Sequence, residues 1–129
     1  MTVKYRADRG EVTAQAVIAV PVVLAVLWMA VQATVFLHGA NVADAAANEG
    51  AAVAARFSSS TRAGERAIVR TLTALDSDAR GRWSVRRDGN DVVAKVSLRL
   101  PRIAPFFPRT VTREAREPIE RFMTEEERR

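Results

Sequence analysis

The chain has 129 residues, 48% of them hydrophobic but only 6% aromatic, which leaves room for one small domain plus one further element and excludes two full domains. It holds no cysteine, so a disulfide framework and a thiolate metal site are both excluded. Twenty Lys and Arg against 15 Asp and Glu leave a formal charge of +5, yet the basic residues after position 55 stand singly among acids without interleaved aromatics, so no nucleic-acid partner is expected.

In chain order, Lys4, Arg6 and Arg9 come first, and residues 12–43 then carry no Asp, Glu, Lys or Arg. As one helix of about 1.5 Å per residue this run reaches roughly 48 Å, well past the ~30 Å hydrocarbon core of a bilayer. Its most apolar part, 16–36, has only Gln32 and Thr34 as polar side chains and predicts a single transmembrane helix. Three basic residues precede this span, whereas Arg56 is the first to follow it. That bias puts the N-terminus in the cytoplasm and the residues after about 40 outside it, in a single-pass protein of the cytoplasmic membrane. A secretory signal peptide has a shorter apolar region, although the alanines at 45–47 could mimic its cleavage site and release a protein with no anchor. Pro21 lies inside the span, removes one backbone donor and predicts a kink that neighbouring helices can compensate. Trp28 reads as lipid-facing bulk. His38, the one histidine, has no acidic residue at ligand spacing on its helical face and is not expected to hold a metal.

Beyond the span the helix is predicted to continue through an alanine-rich stretch, giving one long N-terminal helix over about 11–57. Ala40, Ala43, Ala47, Ala51 and Ala54 recur at steps of three and four, a stripe that allows close approach. Packing of the protein's own sheet on that stripe is preferred over helix packing between subunits. Ser58, Ser59, Ser60 and Gly64 supply turn and cap chemistry, so the helix should break there. A second helix is expected over about 62–79, with Ile68, Leu72 and Leu75 on one face. It ends near Asp76 and Asp78, which read as a solvated helix end and not as a cation site.

A β-hairpin follows. Trp83 and Val85 alternate on the first strand, Asp88-Gly89-Asn90 make the turn, and Ala94, Val96, Leu98 and Leu100 alternate with Lys95, Ser97 and Arg99 on the second. One face is apolar and one wet, as for an antiparallel sheet laid on a helix, and Arg86 and Arg87 read as a solvated pair. A third strand is expected over about 109–115. Between strands two and three, Pro101, Pro105 and Pro108 impose an extended loop around Phe106 and Phe107, which either close the small core or project as a partner-binding tip. Residues 119–129 form a charged tail. The fold class is therefore a membrane-anchored α+β chain: a long helix, a short helix and a small antiparallel sheet over about 58–118.

The sequence Arg9-Gly10-Glu11-Val12-Thr13-Ala14-Gln15, the apolar run with Pro21, the alanine-rich extension and the β-rich remainder together resemble the TadE-like minor pilins, or pseudopilins, of tight-adherence type IV pilus systems. The resemblance covers residues 9–56 well and the rest in layout. It implies a pilin-like fold and a basic cytoplasmic leader, 1–10, that a prepilin peptidase removes by cutting between Gly10 and Glu11. A glycine at the membrane surface has no side chain to obstruct a protease and is a poor helix former, though the same residue could simply break the helix. The resemblance further implies the pilus assembly platform with its ATPase, other pilin-like subunits and the lipid bilayer as partners. In the family a glutamate usually stands five residues after the scissile glycine and pairs with a neighbouring subunit's N-terminal amine. Here Gln15 stands there, able to accept a hydrogen bond but bringing no charge, so that pairing is weaker.

No nucleophile stands beside a base, and there is no metal-ligand cluster or glycine-rich phosphate loop, so neither an enzyme nor a cofactor is expected. An assembly subunit uses every feature of the chain. The competing expectation is an uncleaved single-pass membrane protein whose small extracytoplasmic domain binds a partner.

Overall fold

The computed structural model describes residues 8–56, 58–76 and 78–120, with side chains from residue 12 onward. The element order is α1 (Asp8–Ala55), α2 (Thr61–Leu75), β1 (Arg80–Asp88), β2 (Asp91–Arg99) and β3 (Thr110–Pro118). The strands form one antiparallel sheet in the order β1-β2-β3, a simple meander.

Helix α1 is 48 residues long and runs as a single element through Pro21. Its two halves differ in what covers them. Residues 12–31 are exposed all round, and α1 is long and apolar enough to cross a membrane. From Gln32 onward one face becomes buried, and by Ala40, Ala43, Ala46, Ala47, Ala51 and Ala54 it is packed against the sheet and α2. Asn41, Asp44, Asn48 and Glu49 occupy the opposite, wet face. The expected alanine stripe is thus covered by the protein's own sheet and second helix.

Chain reversal after α1 uses a residue with positive φ, Ser58 at 62°, and a bond from the Ser59 N–H to the Arg56 carbonyl. Ser60 then caps α2, its hydroxyl accepting from the Ala63 N–H at 3.2 Å. Gly64, expected to belong to this turn, instead lies inside α2. The reason is steric: a Cβ there would stand 2.6 Å from the Gly50 carbonyl oxygen and 2.8 Å from the Ala54 Cβ, so the two helices cross backbone to backbone. Ile68 and Leu72 are buried as expected, but Leu75 is half exposed because it lies farthest along α2 from that crossing. The helix also stops short of residue 79. Asp76 takes an extended conformation, and its carboxylate accepts from the Asp78 N–H at 3.1 Å, making the pair a local turn.

The hairpin turn places Gly89 at φ 61° as the first loop residue between Asp88 and Asp91, the position that a type II′ turn reserves for glycine. Register then puts Val85 beside Ala94 and Ala94 beside Ala115 on the face toward α1. β3 extends three residues past the expected end, where Arg116 bonds to Asp88 at 3.1 Å and to Asp91 at 3.2 Å and ties all three strands together. The hydrogen bonds to Asp91 and then to Asp88 raise the Arg116 pKa above its ordinary value. The exposed Arg87 reaches back to the Ser59 carbonyl at 2.8 Å, and Arg86 is exposed as well.

The core is built of alanine and valine with Ile68, Leu72 and Leu98 as its larger members. Cores of that kind hold helices and sheet at short distance and leave little slack. Replacing Gly64 with valine is accordingly expected to cost about 1–3 kcal/mol through overpacking, read as a lower Tm of the full chain in detergent. The exposed Ala74→Val serves as the control and should change stability by less than about 1 kcal/mol.

Candidate functional site

The sheet lies along the C-terminal half of α1 with a defined polarity. At one end the Ile119 N–H bonds to the Asn90 carbonyl and the Glu120 N–H to the Ala55 carbonyl, fixing the hairpin turn beside the C-terminus of α1. At the other end Leu100 seats its side chain directly on Gly39, where any Cβ would collide with it. The chain then runs farther toward the bare part of the helix, because Gln32 holds the loop that follows. Seven residues separate Gly39 from Gln32, about 10 Å along a helix.

Gln32 is fully buried, the only buried polar side chain among the described residues. Its Oε1 accepts from the Ile103 N–H at 2.7 Å and from the Ala104 N–H at 2.9 Å, and its Nε2 points at the Pro101 carbonyl at 3.5 Å. Two backbone donors that the proline-rich loop cannot place in a strand are therefore satisfied by one carboxamide. The loop is also closed at its base by a bond from the Leu100 N–H to the Arg109 carbonyl at 2.7 Å. With its base and middle fixed, the loop projects its tip. Phe106 is 95% exposed, Phe107 is half-buried and Ile103 is 40% exposed. Of the two expectations for the aromatic pair, closure of the core does not hold for Phe106, whose ring is free.

Charge is sorted along the same axis. Arg80 pairs with Arg99 in register, and Arg99 with Thr110, at the Gln32 end of the sheet. Arg82, Arg102 and Arg109 stand nearby, and all five arginines are exposed. With Lys95, Arg80, Arg82 and Arg99 line an open cleft of about 720 Å3 on the outer face of the sheet. The acidic pair Asp88 and Asp91 is at the far end, engaged by Arg116.

The remaining sequence candidates fall elsewhere. Arg9, Gly10 and Glu11 occupy the first turn of α1, so the helix begins before the glycine and is not broken by it. Lys4 and Arg6 lie outside the described residues, and Gln15 is exposed on the bare part of α1. His38 is exposed, and among the described residues there is no group of three or more His, Asp and Glu that could hold a metal. Sequence reasoning noticed Gln32 only as a polar interruption of the span. The available signal was its isolation in an apolar run too long for one bilayer.

Replacing Gln32 with leucine should strand the Ile103 and Ala104 N–H groups and cost about 1–3 kcal/mol. The expected signature is faster amide exchange confined to residues 101–109, with the ladder of β2 still protected. Compared with known proteins, the chain matches no family model, no curated protein and no solved structure.

Proposed function

We propose that this chain is a single-pass protein of the cytoplasmic membrane that acts as a minor pilin or pseudopilin in assembly of a tight-adherence type IV pilus, after a prepilin peptidase removes residues 1–10. The observation that carries the reading is the divided surface of α1. Twelve large apolar side chains between Val12 and Val31 have no cover from the rest of the chain, and the same helix continues unbroken into the core of a folded domain. Leaving those side chains in water would cost on the order of 20 kcal/mol. They therefore need lipid or the apolar helices of other subunits. A subunit held in a bilayer and then passed into a helical bundle meets those two environments in turn, and one surface suits both. Because α1 is continuous, the outer domain travels with it.

The seam also supports the reading. Arg9, Gly10 and Glu11 begin α1, immediately before the first bare apolar residue, Val12. A cut after Gly10 would leave a free amine on Glu11, four residues before the exposed Gln15. Gln15 brings no charge to such an amine, so the pairing would be weaker than a carboxylate's. That weaker pairing favours the second reading, an uncleaved single-pass protein whose outer domain binds a partner without entering a filament.

Intact mass and N-terminal sequence of the membrane-extracted protein from its native host, with and without the prepilin peptidase, separate the two. The expected result is a chain beginning at Glu11 only where the peptidase is present, and a retained leader when Gly10 is replaced by valine. A chain that keeps Lys4 through Gly10 in both strains overturns the pilin-like reading and leaves the uncleaved one.

A further inference from the structure

Three features meet at the Gln32 end of the domain: a projecting apolar tip, a set of exposed cations, and the edge of the bare helix. Val31 ends the unbroken run of exposed residues on α1, and the next residue, Gln32, holds the backbone of the loop. The loop therefore lies level with the point where the apolar surface of α1 gives way to the domain. Residues 12–31 reach about 30 Å as a helix, the thickness of a hydrocarbon core, so a bilayer that fills the bare part of α1 ends at that level, and the span expected over 16–36 shifts toward the N-terminus.

We infer that this end of the domain is a second, peripheral anchor, with Phe106 seated in the headgroup layer of an anionic bilayer and Arg102, Arg109, Arg80 and Arg99 on its phosphates. The inference rests on the reading of residues 12–31 as a bilayer span. Phe106 is 95% exposed, an unusual position for a phenyl ring in a chain with so few aromatics, and Ile103 beside it is 40% exposed. Among the described residues none of the four arginines meets a carboxylate, whereas Arg116 at the opposite end engages two. An apolar tip with cations on its loop and on the adjoining strand ends is complementary to a surface that is apolar within and anionic at its face. The loop is also suited to partial dehydration. Pro101, Pro105 and Pro108 have no N–H to desolvate, and the donors of Ile103 and Ala104 are already satisfied by Gln32.

These arginines lie more than 40 residues beyond the span in sequence, so they do not enter the charge bias that sets insertion; the fold brings them back to the membrane afterwards. The consequence is orientational. A domain fixed by α1 alone could tilt with its helix, while one held at Phe106 as well has a fixed face toward the lipid.

The test uses the full chain in nanodiscs loaded at one chain each, with about one third anionic lipid, which excludes a second copy as the occupant. Because the chain has no native cysteine, single nitroxide labels can be placed at Val22→Cys in the bare helix, Pro105→Cys beside the intact Phe106 and Arg62→Cys at the far end. Accessibility to a water-soluble nickel quencher is the readout. The expected result is strong shielding at 22, full exposure at 62, and a several-fold lower accessibility at 105 than at 62. Replacing Arg102 and Arg109 with serine should weaken residence of the tip by about fivefold per cation lost, seen as rising accessibility at 105 alone. Equal accessibility at 105 and 62 with 22 still shielded overturns the second anchor and leaves the span intact. Water exposure at 22 overturns both. Shielding at 105 that is unchanged by the serine substitutions overturns the role given to the arginines.

Discussion

The carboxamide of Gln32 holds two backbone N–H groups, 71 and 72 residues downstream, against a helix whose preceding residues, 16–31, carry only apolar side chains. That contact fixes where the domain stops. Below it α1 presents bare valine, leucine, isoleucine and tryptophan to whatever surrounds it; above it the helix is the central rod of a small α+β unit. An exposed glutamine in the apolar run would carry its own desolvation cost in lipid, and an unheld loop would leave donors unmet. Each group removes the other's liability.

The upper half of α1 reaches its close packing by having almost no side chain to interpose. Alanines along one face let the sheet approach, and at Gly50 and Gly64 even a methyl group is excluded, so α2 crosses α1 on bare backbone. Buried alanines contribute little apolar area each. The structure offsets this with length, running the stripe from Ala40 to Ala54, and with polar closures at the periphery: the Ser60 cap, the Arg116 clamp and the pairing of Glu120 with Ala55. Exposed charges on β1 and β3 keep both edges of the sheet unsuited to further strand pairing.

Much of this was legible in the sequence because it depends on local pattern. The two-residue alternation from Ala94 to Leu98 and the glycine at 89 specify the hairpin, and the spacing of Ala40, Ala43, Ala47, Ala51 and Ala54 specifies which face of α1 is covered. The contacts that set the site are of another kind. Gly64 looks like punctuation in sequence, and only its distance from Gly50 shows it to be a crossing point. Gln32 looks like a blemish in a membrane span, because its partners are far away along the chain. The sorting of charge escaped for the same reason: Arg80, Arg99, Arg102 and Arg109 are scattered in sequence and are gathered only when the meander folds. Phe106 and Phe107 were recognised as a pair, but their division into a free ring and a half-buried one depends on how Gln32 and the Leu100–Arg109 bond hold the loop.

Central to the account is that one helix serves two environments and changes over at Gln32. A cysteine scan of α1 from residue 16 to residue 54 in native membranes, read by reaction with a membrane-impermeant maleimide, tests this most directly. Silence is expected at every position from 16 to 31, then a helical alternation in which 41, 44, 45 and 48 react while 40, 43, 47, 51 and 54 do not. Reaction on all sides within 16–31, or reaction along the alanine stripe equal to that on the opposite face, would contradict it.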